Sequence, residues 1–129
     1  MKTGKKRILA VDDEACNTEL VRLYLERTNH YEVREENDPM QALSSAEEFQ
    51  PHLILLDVMM PGMDGWDVAG RFKANLKLKA VPIVFITAAM TKVEVNASGG
   101  RLWGYPFLAK PIVLAELIAC LKNHLEPIV

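Results

Sequence analysis

The sequence predicts an α/β domain in which an open parallel sheet is covered by helices on both faces. Five short apolar or β-branched runs alternate with longer segments whose apolar residues recur at helical spacing. Continuous apolar runs are typical of strands that are buried on both faces, and their alternation with helices favours parallel pairing. In such sheets, ligands bind at the carboxyl ends of the strands.

The predicted strands are short, and most end beside a polar residue. The first, third and fourth are rich in branched apolar residues, the second is weaker, and the fifth begins with a proline. Because Pro106 has no N–H to donate to a ladder, we expect the fifth strand to lie at a sheet edge. The predicted strands are Arg7–Val11, Tyr31–Glu36, Leu53–Leu56, Pro82–Thr87 and Pro106–Ala109.

Five helices are predicted in the segments that connect or follow these strands. The second begins with Asp38 as N-cap and Pro39 at the first helical position. The fourth, over residues 90–98, is stopped by Gly99 and Gly100. The predicted apolar faces are Leu20, Val21, Tyr24 and Leu25 in the first helix, Trp66, Val68, Ala69 and Phe72 in the third, and Leu114, Leu117, Ile118, Leu121 and Leu125 in the fifth.

Length and composition are those of one ordinary globular domain, which we expect to span residues 1–129. The net charge of -2 gives no basic surface for nucleic acid, and no apolar run approaches the roughly 20 residues that span a membrane. The N-terminal lysines precede only four apolar residues and then three acids, so we reject a signal peptide. Cys16 and Cys120 lack metal-site spacing and are expected to be reduced thiols in a cytoplasmic protein.

Polar side chains mark the carboxyl ends of four predicted strands. Asp12 and Asp13 follow the first strand, Asp57 follows the third, Thr87 ends the fourth and Lys110 follows the fifth. Aspartates that converge at one edge repel each other unless a pKa rises or a cation binds, and carboxylate oxygens suit Mg²⁺. A carboxylate, a divalent ion, a lysine and a hydroxyl are together what phosphoryl transfer requires.

Each of these five residues also has a plain structural explanation. The aspartates could cap a turn or the first helix, the threonine could simply end its strand, and the lysine could be solvated. We favour a functional site because capping alone does not require every such residue to lie at one edge of the sheet. Asp64, by contrast, is expected to serve the turn and the start of the third helix.

Four segments closely resemble the receiver domain of two-component response regulators: "ILAVDDE", "LILLDVMMPGMDG", "PIVFITA" and "FLAKP". The similarity runs from about Lys6 to Leu125, and the spacing of Asp57, Thr87 and Lys110 agrees with it. The resemblance implies a flavodoxin-like, three-layer fold with a doubly wound, five-stranded parallel sheet of order 2-1-3-4-5 and five helices.

The resemblance also implies a metal-dependent phosphorylation site. Asp57 would accept a phosphoryl group from a sensor histidine kinase or a histidine phosphotransfer protein. Asp13 and Asp57 would bind Mg²⁺ directly with the backbone carbonyl of Met59, and Asp12 would act mainly through water. Because the side chain of Met59 is apolar, we expect it to give no help in orienting a water for dephosphorylation.

Three further positions match the family's switch residues. Lys110 would pair with the phosphoryl oxygens, and its peptide bond to Pro111 is expected to be cis. Thr87 would hydrogen-bond the attached phosphoryl group, and the ring of Phe107 would then rotate inward and change a protein-binding surface. Trp103 stands where relatives commonly have glycine, and we expect it to be packed core, with an altered output surface as the alternative.

The implied function is that of a signalling phosphoacceptor with only self-phosphorylation and self-dephosphorylation chemistry, and not of an enzyme. Because no further domain follows Glu126 in this sequence, output is expected through a downstream protein target, unless the chain is a fragment. We expect no direct binding to nucleic acid or membrane, and a phosphorylation-dependent homodimer stays open. Two alternatives are a phosphorylation-independent adaptor and, less favoured, an aspartyl-nucleophile phosphatase.

Overall fold

A six-stranded sheet forms the centre of the computed structural model, which describes residues 4–88, 91, 94, 101–102 and 104–125. The strands are β1 Lys6–Val11, β2 Tyr31–Glu36, β3 Leu53–Asp57, β4 Ile83–Thr87, β5 Arg101–Leu102 and β6 Tyr105–Ala109. Their spatial order is β2-β1-β3-β4-β6-β5, and the first five of these are parallel. The predicted order 2-1-3-4-5 is therefore confirmed, with β6 as the predicted fifth strand.

The edge of the sheet differs from the prediction. The two-residue strand β5 pairs antiparallel with β6, and it opposes Tyr105 and Pro106. The strand that contains Pro106 is therefore not the edge strand as predicted, because β5 lies outside its first two residues. A two-residue strand carries almost no periodicity, which is why the sequence pattern did not reveal it.

Four α-helices lie within the described residues: α1 Ala15–Glu26, α2 Ala42–Phe49, α3 Gly65–Ala74 and α4 Leu114–His124. A short 3₁₀ helix, Pro39–Gln41, leads into α2, and the carboxylate of Asp38 accepts a hydrogen bond from the Met40 N–H as the predicted N-cap. None of the described helices has the length and apolar character that a membrane span requires.

The predicted fourth helix lies almost entirely outside the described residues, as do Gly99, Gly100 and Trp103. Two of its residues are described. The Thr91 N–H donates to the Glu94 carboxylate, and the Glu94 N–H donates to the Thr91 hydroxyl at 3.1 Å each. This reciprocal pair is a capping box, the hydrogen-bond pattern of a helix N-terminus.

The core consists of two apolar layers on opposite faces of the sheet, which gives the predicted three-layer arrangement. Strands β3 and β4 are buried at every position because helices cover both faces. The first layer, facing α2 and α3, includes Leu9, Ile54, Leu56, Phe72, Phe85 and Phe107. The second, facing α1 and α4, includes Ile8, Val21, Leu25, Leu55, Leu117 and Leu121.

Each of the three predicted apolar helix faces needs a correction. In α1, Leu20 is exposed, whereas Val21 and Leu25 are buried. In α4, Leu117 and Leu121 are buried, but Leu114 in the first turn is exposed. In α3, Trp66 is 37% exposed, although its ring centroid lies only 4.6 Å from that of Phe85. The indole therefore covers the end of the core without entering it, as amphipathic aromatic side chains commonly do.

Candidate functional site

The register of the sheet brings the acidic residues together. Val11 of β1 pairs with Leu56 of β3, so the next residues, Asp12 and Asp57, lie at adjacent strand ends. The Asp12 N–H donates to the Glu36 carbonyl at 3.1 Å and extends the β1–β2 ladder by one residue. Asp57 is the last residue of β3 and is only 4% exposed. A buried strand thus fixes the position of its carboxylate.

Asp12, Asp13 and Asp57 form one acidic cluster. Each offers a carboxylate oxygen, and these oxygens all lie within 4.8 Å of one another. Asp12 and Asp57 are buried, whereas Asp13 is half-buried. Hard oxygen donors at such separations are the ligands that Mg²⁺ prefers, so the residues present fit the ion that the sequence predicted.

Lys110 supplies the positive charge of the site. Its Nζ lies 2.9 Å from Asp12 Oδ2 and 3.3 Å from Asp57 Oδ1. The Lys110 N–H donates to the Thr87 carbonyl at 2.8 Å, and the peptide bond to Pro111 is cis, as expected. The lysine therefore bridges two acids that arise from different strands, and the alternative of a freely solvated lysine is excluded.

Asp12 also has the local role that the plain explanation gave it. Its Oδ1 accepts from the Glu14 N–H at 3.0 Å, and its Oδ2 accepts from Asn17 Nδ2 at 3.2 Å. The carboxylate thus stabilises the turn before α1 while it also binds Lys110. Capping and a functional role are compatible here, because a carboxylate has several acceptor positions.

The environment of Asp57 disfavours its charged form. Burial, together with the nearby charge of Asp12, raises the pKa of Asp57 from 3.8 to about 6, although Lys110 opposes this rise and Asp13 adds to it. Burial alone would lower the pKa of Lys110, but the hydrogen bond and charge of Asp12 and the charge of Asp57 raise it overall. Negative charge is therefore in excess in the cluster, which favours cation binding.

The raised pKa of Asp57 predicts a pH-dependent effect of Asp57→Asn on stability without Mg²⁺. Between about pH 4 and pH 7 the folded state binds more protons than the unfolded state, so wild-type stability falls as pH rises. The asparagine side chain carries no charge, so the variant should gain about 1–2 kcal/mol relative to wild type over this range, after solvent screening is allowed for. Urea denaturation at pH 4.5 and pH 7.5 in EDTA measures the difference, and an equal gap at both pH values would contradict it.

The predicted switch residues lie beside this cluster. Thr87 is buried at the end of β4 and pairs in register with Ala109, next to Lys110. Phe107 is 4% exposed, and its ring stacks on Phe85 at a centroid distance of 5.2 Å. The ring of Phe107 therefore lies in the core of this structure, and its expected movement on phosphorylation stays a prediction.

Gly65, which lies against Asp57, was not predicted as part of the site. A Cβ on Gly65 would lie 2.4 Å from the Asp57 carbonyl oxygen, so the start of α3 approaches the end of β3 more closely than any side chain allows. Trp66 follows and packs on Phe85. The "MDG" sequence carried the only signal: Asp64 caps α3 by accepting from the Asp67 N–H at 3.0 Å, as expected, and glycine comes next.

Met59 is 65% exposed on the loop that follows Asp57. Its thioether is apolar and has no acidic proton, so it lacks the chemistry of a general acid. Both cysteines are free: burial raises the pKa of the Cys120 thiol to about 11, which disfavours its thiolate, and Cys16 is exposed on α1.

Sequence comparison identifies the family. The model of the response regulator receiver domain matches residues 8–122. The DNA-binding response regulator MtrA of Mycobacterium tuberculosis is 36% identical over 126 residues, which cover 98% of this chain and 53% of MtrA. The response regulator PleD of Caulobacter vibrioides is 40% identical over 122 residues, covering 91% of this chain and 25% of PleD. The chain thus spans about half the length of MtrA and a smaller share of PleD.

Solved structures agree with this assignment. The chemotaxis protein CheY4 of Vibrio cholerae superposes with a TM-score of 0.79 at 28% identity, over 94% of this chain and 99% of that one. A second match is the receiver domain of the sensor histidine kinase PA1611 of Pseudomonas aeruginosa, which was solved with magnesium in its active-site cleft. Its TM-score is 0.75 at 30% identity, and the match covers 93% of this chain and 97% of that one. With the family match over most of its length, this chain belongs to the receiver domains of two-component response regulators.

Proposed function

We propose that this chain is a single receiver domain, over residues 1–129, that is phosphorylated on Asp57 in a Mg²⁺-dependent reaction. The donor is the phosphohistidine of a sensor histidine kinase or of a histidine phosphotransfer protein. One observation carries the proposal: the buried carboxylate of Asp57 forms one cluster with those of Asp12 and Asp13, and Lys110 Nζ lies 3.3 Å from it. The protein acts as a phosphoacceptor and not as an enzyme on an external substrate.

The reaction is a direct transfer to the carboxylate of Asp57. One of its oxygens attacks phosphorus, the phosphorus–nitrogen bond to the donor imidazole breaks, and the leaving nitrogen keeps the electron pair. Mg²⁺, when bound, neutralises negative charge on the phosphoryl oxygens. Asp13, Asp57 and the Met59 carbonyl would hold the ion, with Asp12 acting through water.

Lys110 and Thr87 complete the proposed site. Nζ of Lys110 would leave the oxygen of Asp12 and bind the new phosphoryl oxygens, while Asn17 and the Glu14 N–H continue to satisfy Asp12. The Thr87 hydroxyl would donate to the phosphoryl group. Because the Thr87 carbonyl accepts from the Lys110 N–H, movement of either residue is transmitted to the loop between β6 and α4.

The change is read at a protein surface around β6 and α4, and β6 connects this surface to the buried ring of Phe107 on its other face. The exposed apolar side chains of α1, Leu20 and Leu23, with the half-buried Tyr24, suit docking of the phosphodonor. We propose that the domain acts in the cytoplasm on a downstream protein target. We propose no direct binding of residues 1–129 to nucleic acid or membrane. A homodimer formed on phosphorylation is compatible with this surface.

Phosphate labelling tests the proposal directly. Wild-type protein incubated with acetyl phosphate and Mg²⁺ should gain one phosphoryl group, detected by intact mass, and peptide mapping should place it on Asp57. The matched Asp57→Asn variant keeps the size of the side chain and should gain nothing. Labelling that persists in Asp57→Asn, or wild-type labelling that is unchanged when EDTA removes Mg²⁺, would contradict the assignment.

The same experiment separates the two alternatives. Wild-type protein that gains no mass from acetyl phosphate or from a cognate kinase would be a phosphorylation-independent adaptor. Repeated turnover of a small phosphate ester would instead indicate an aspartyl-nucleophile phosphatase. Met59 argues against that enzyme, since it stands two residues after the nucleophile, where such enzymes place a second acid.

A further inference from the structure

The structure assigns a positioning role to Asn37, which lies after β2 and outside the set of residues that the family motif contains. We propose that Asn37, held by the buried Thr18, fixes the peptide between Asp12 and Asp13 and so sets the Mg²⁺ affinity of the site. This inference rests on the proposed function, because it concerns the same acidic cluster. It adds residues that no sequence pattern indicated.

Asn37 binds the site through its side-chain amide. Nδ2 donates to the backbone carbonyl of Asp12 at 2.8 Å and to Thr18 Oγ1 at 2.9 Å. The carbonyl of Asp12 belongs to the peptide plane that contains the nitrogen of Asp13. A hydrogen bond to this oxygen therefore restrains the direction in which the Asp13 side chain leaves the backbone.

Thr18 fixes Asn37 in turn. It is 1% exposed in α1, and its hydroxyl oxygen accepts from Asn37. The single hydroxyl proton has two acceptors within reach, Glu35 Oε1 at 2.8 Å and the Ala15 carbonyl at 3.1 Å. Arg22 Nε donates to the other oxygen of Glu35 at 2.6 Å. These hydrogen bonds connect α1 and β2 to the acidic loop.

The end of β2 therefore holds both peptides that flank Asp12. The carbonyl of Glu36 accepts a hydrogen bond from the N–H of Asp12, and the side chain of Asn37 donates one to the carbonyl of Asp12. Mg²⁺ tolerates little departure from octahedral geometry, so a small rotation of the peptide before Asp13 should weaken binding. Loss of a group that orients a metal ligand directly commonly weakens metal binding by about 10- to 100-fold, and Asn37 acts one peptide bond further away.

Replacing Asn37 by alanine should weaken Mg²⁺ binding to the unphosphorylated protein by about 3- to 10-fold, as measured by isothermal titration calorimetry. Thr18→Val should weaken it in the same direction, whereas Thr18→Ser, which keeps the hydroxyl, should restore affinity close to wild type. The double variant Asn37→Ala with Thr18→Val should show less than the sum of the two effects, because both act through one link.

A second measurement does not depend on the metal. In Mg²⁺-free protein, the Asp13 amide resonance should shift in Asn37→Ala and in Thr18→Val, since the Asp12 carbonyl loses its partner. Asn75→Ala is the matched control: Asn75 accepts two hydrogen bonds, from the N–H groups of Lys77 and Leu78, far from the acidic loop. Asn75→Ala should lower the free energy of unfolding without changing the Mg²⁺ affinity or the Asp13 amide resonance.

Three outcomes decide the matter. Asn37→Ala that binds Mg²⁺ as tightly as wild type, in a wild-type protein that is labelled on Asp57, overturns the positioning role alone. An unshifted Asp13 amide in Asn37→Ala overturns it as well. Wild-type protein that neither binds Mg²⁺ nor accepts phosphate overturns the proposed function together with this inference.

Discussion

Replacing Lys110 by methionine is expected to slow Mg²⁺-dependent phosphorylation of Asp57 by about 10²- to 10³-fold, the usual cost of removing one group that stabilises developing charge. The ammonium lies 3.3 Å from Asp57 and 2.9 Å from Asp12, so it stands where the phosphoryl oxygens would arrive. Methionine has a similar length and packs a similar stem, but it carries no charge. Stopped-flow or quench-flow labelling with acetyl phosphate at saturating Mg²⁺ measures the rate.

The control for this prediction is Lys122→Met on α4. Lys122 is exposed, and no ion pair of the described residues includes it. Its replacement makes the same change of net charge, so any general electrostatic effect on the approach of the anionic donor appears in both variants. If Lys110→Met retained more than about a tenth of the wild-type rate, Lys110 would have only a structural role.

Gly65→Ala is expected to destabilise the protein by about 1–3 kcal/mol and to reduce labelling of Asp57. The added methyl group would lie 2.4 Å from the Asp57 carbonyl oxygen and 3.0 Å from the Val58 Cα, and both neighbours are backbone atoms that cannot rotate away. The clash must be relieved by moving α3 or the end of β3, and the second of these displaces the phosphoacceptor. Urea denaturation and the labelling rate report the two consequences.

Gly70→Ala in the same helix should have the opposite effect on stability. A Cβ there meets no atom within 4 Å, and alanine is favoured over glycine in a helix interior by about 0.5–1 kcal/mol. Labelling of Asp57 should be unchanged. Equal destabilisation of both variants would show that glycine matters in α3 for a reason other than its close approach to Asp57.

The sequence predicted the sheet well because burial of both faces leaves a simple pattern. Strands such as Leu53–Asp57 and Ile83–Thr87 are buried at every position, and their continuous apolar runs are unmistakable. The helix starts at Asp38 and Asp64 were predictable for a similar reason, since a capping side chain contacts residues only two or three positions away. Interactions that are local in the chain can be read from the chain.

The parts that the sequence missed either are too short to show a period or depend on contacts between separate elements. The strand Arg101–Leu102 is too short to show a period. Leu114 follows the apolar pattern of its helix but is exposed in the first turn. The stacking of Phe107 on Phe85 joins two neighbouring strands, and the sequence pattern did not show it. No local pattern specifies how neighbouring side chains share a core.

The sequence by itself determined which chemical groups this protein carries and at which strand ends they stand: the aspartates, Thr87 and Lys110, in a spacing that the family shares. Only the tertiary structure decided how these groups meet, with the Lys110 ammonium between Asp12 and Asp57. It also brought Asn37 to the peptide between Asp12 and Asp13, where its side chain donates a hydrogen bond. The physical reason is distance along the chain. Lys110 and Asp12 are 98 positions apart, and their contact at 2.9 Å exists only once the parallel sheet has set the register of every strand between them.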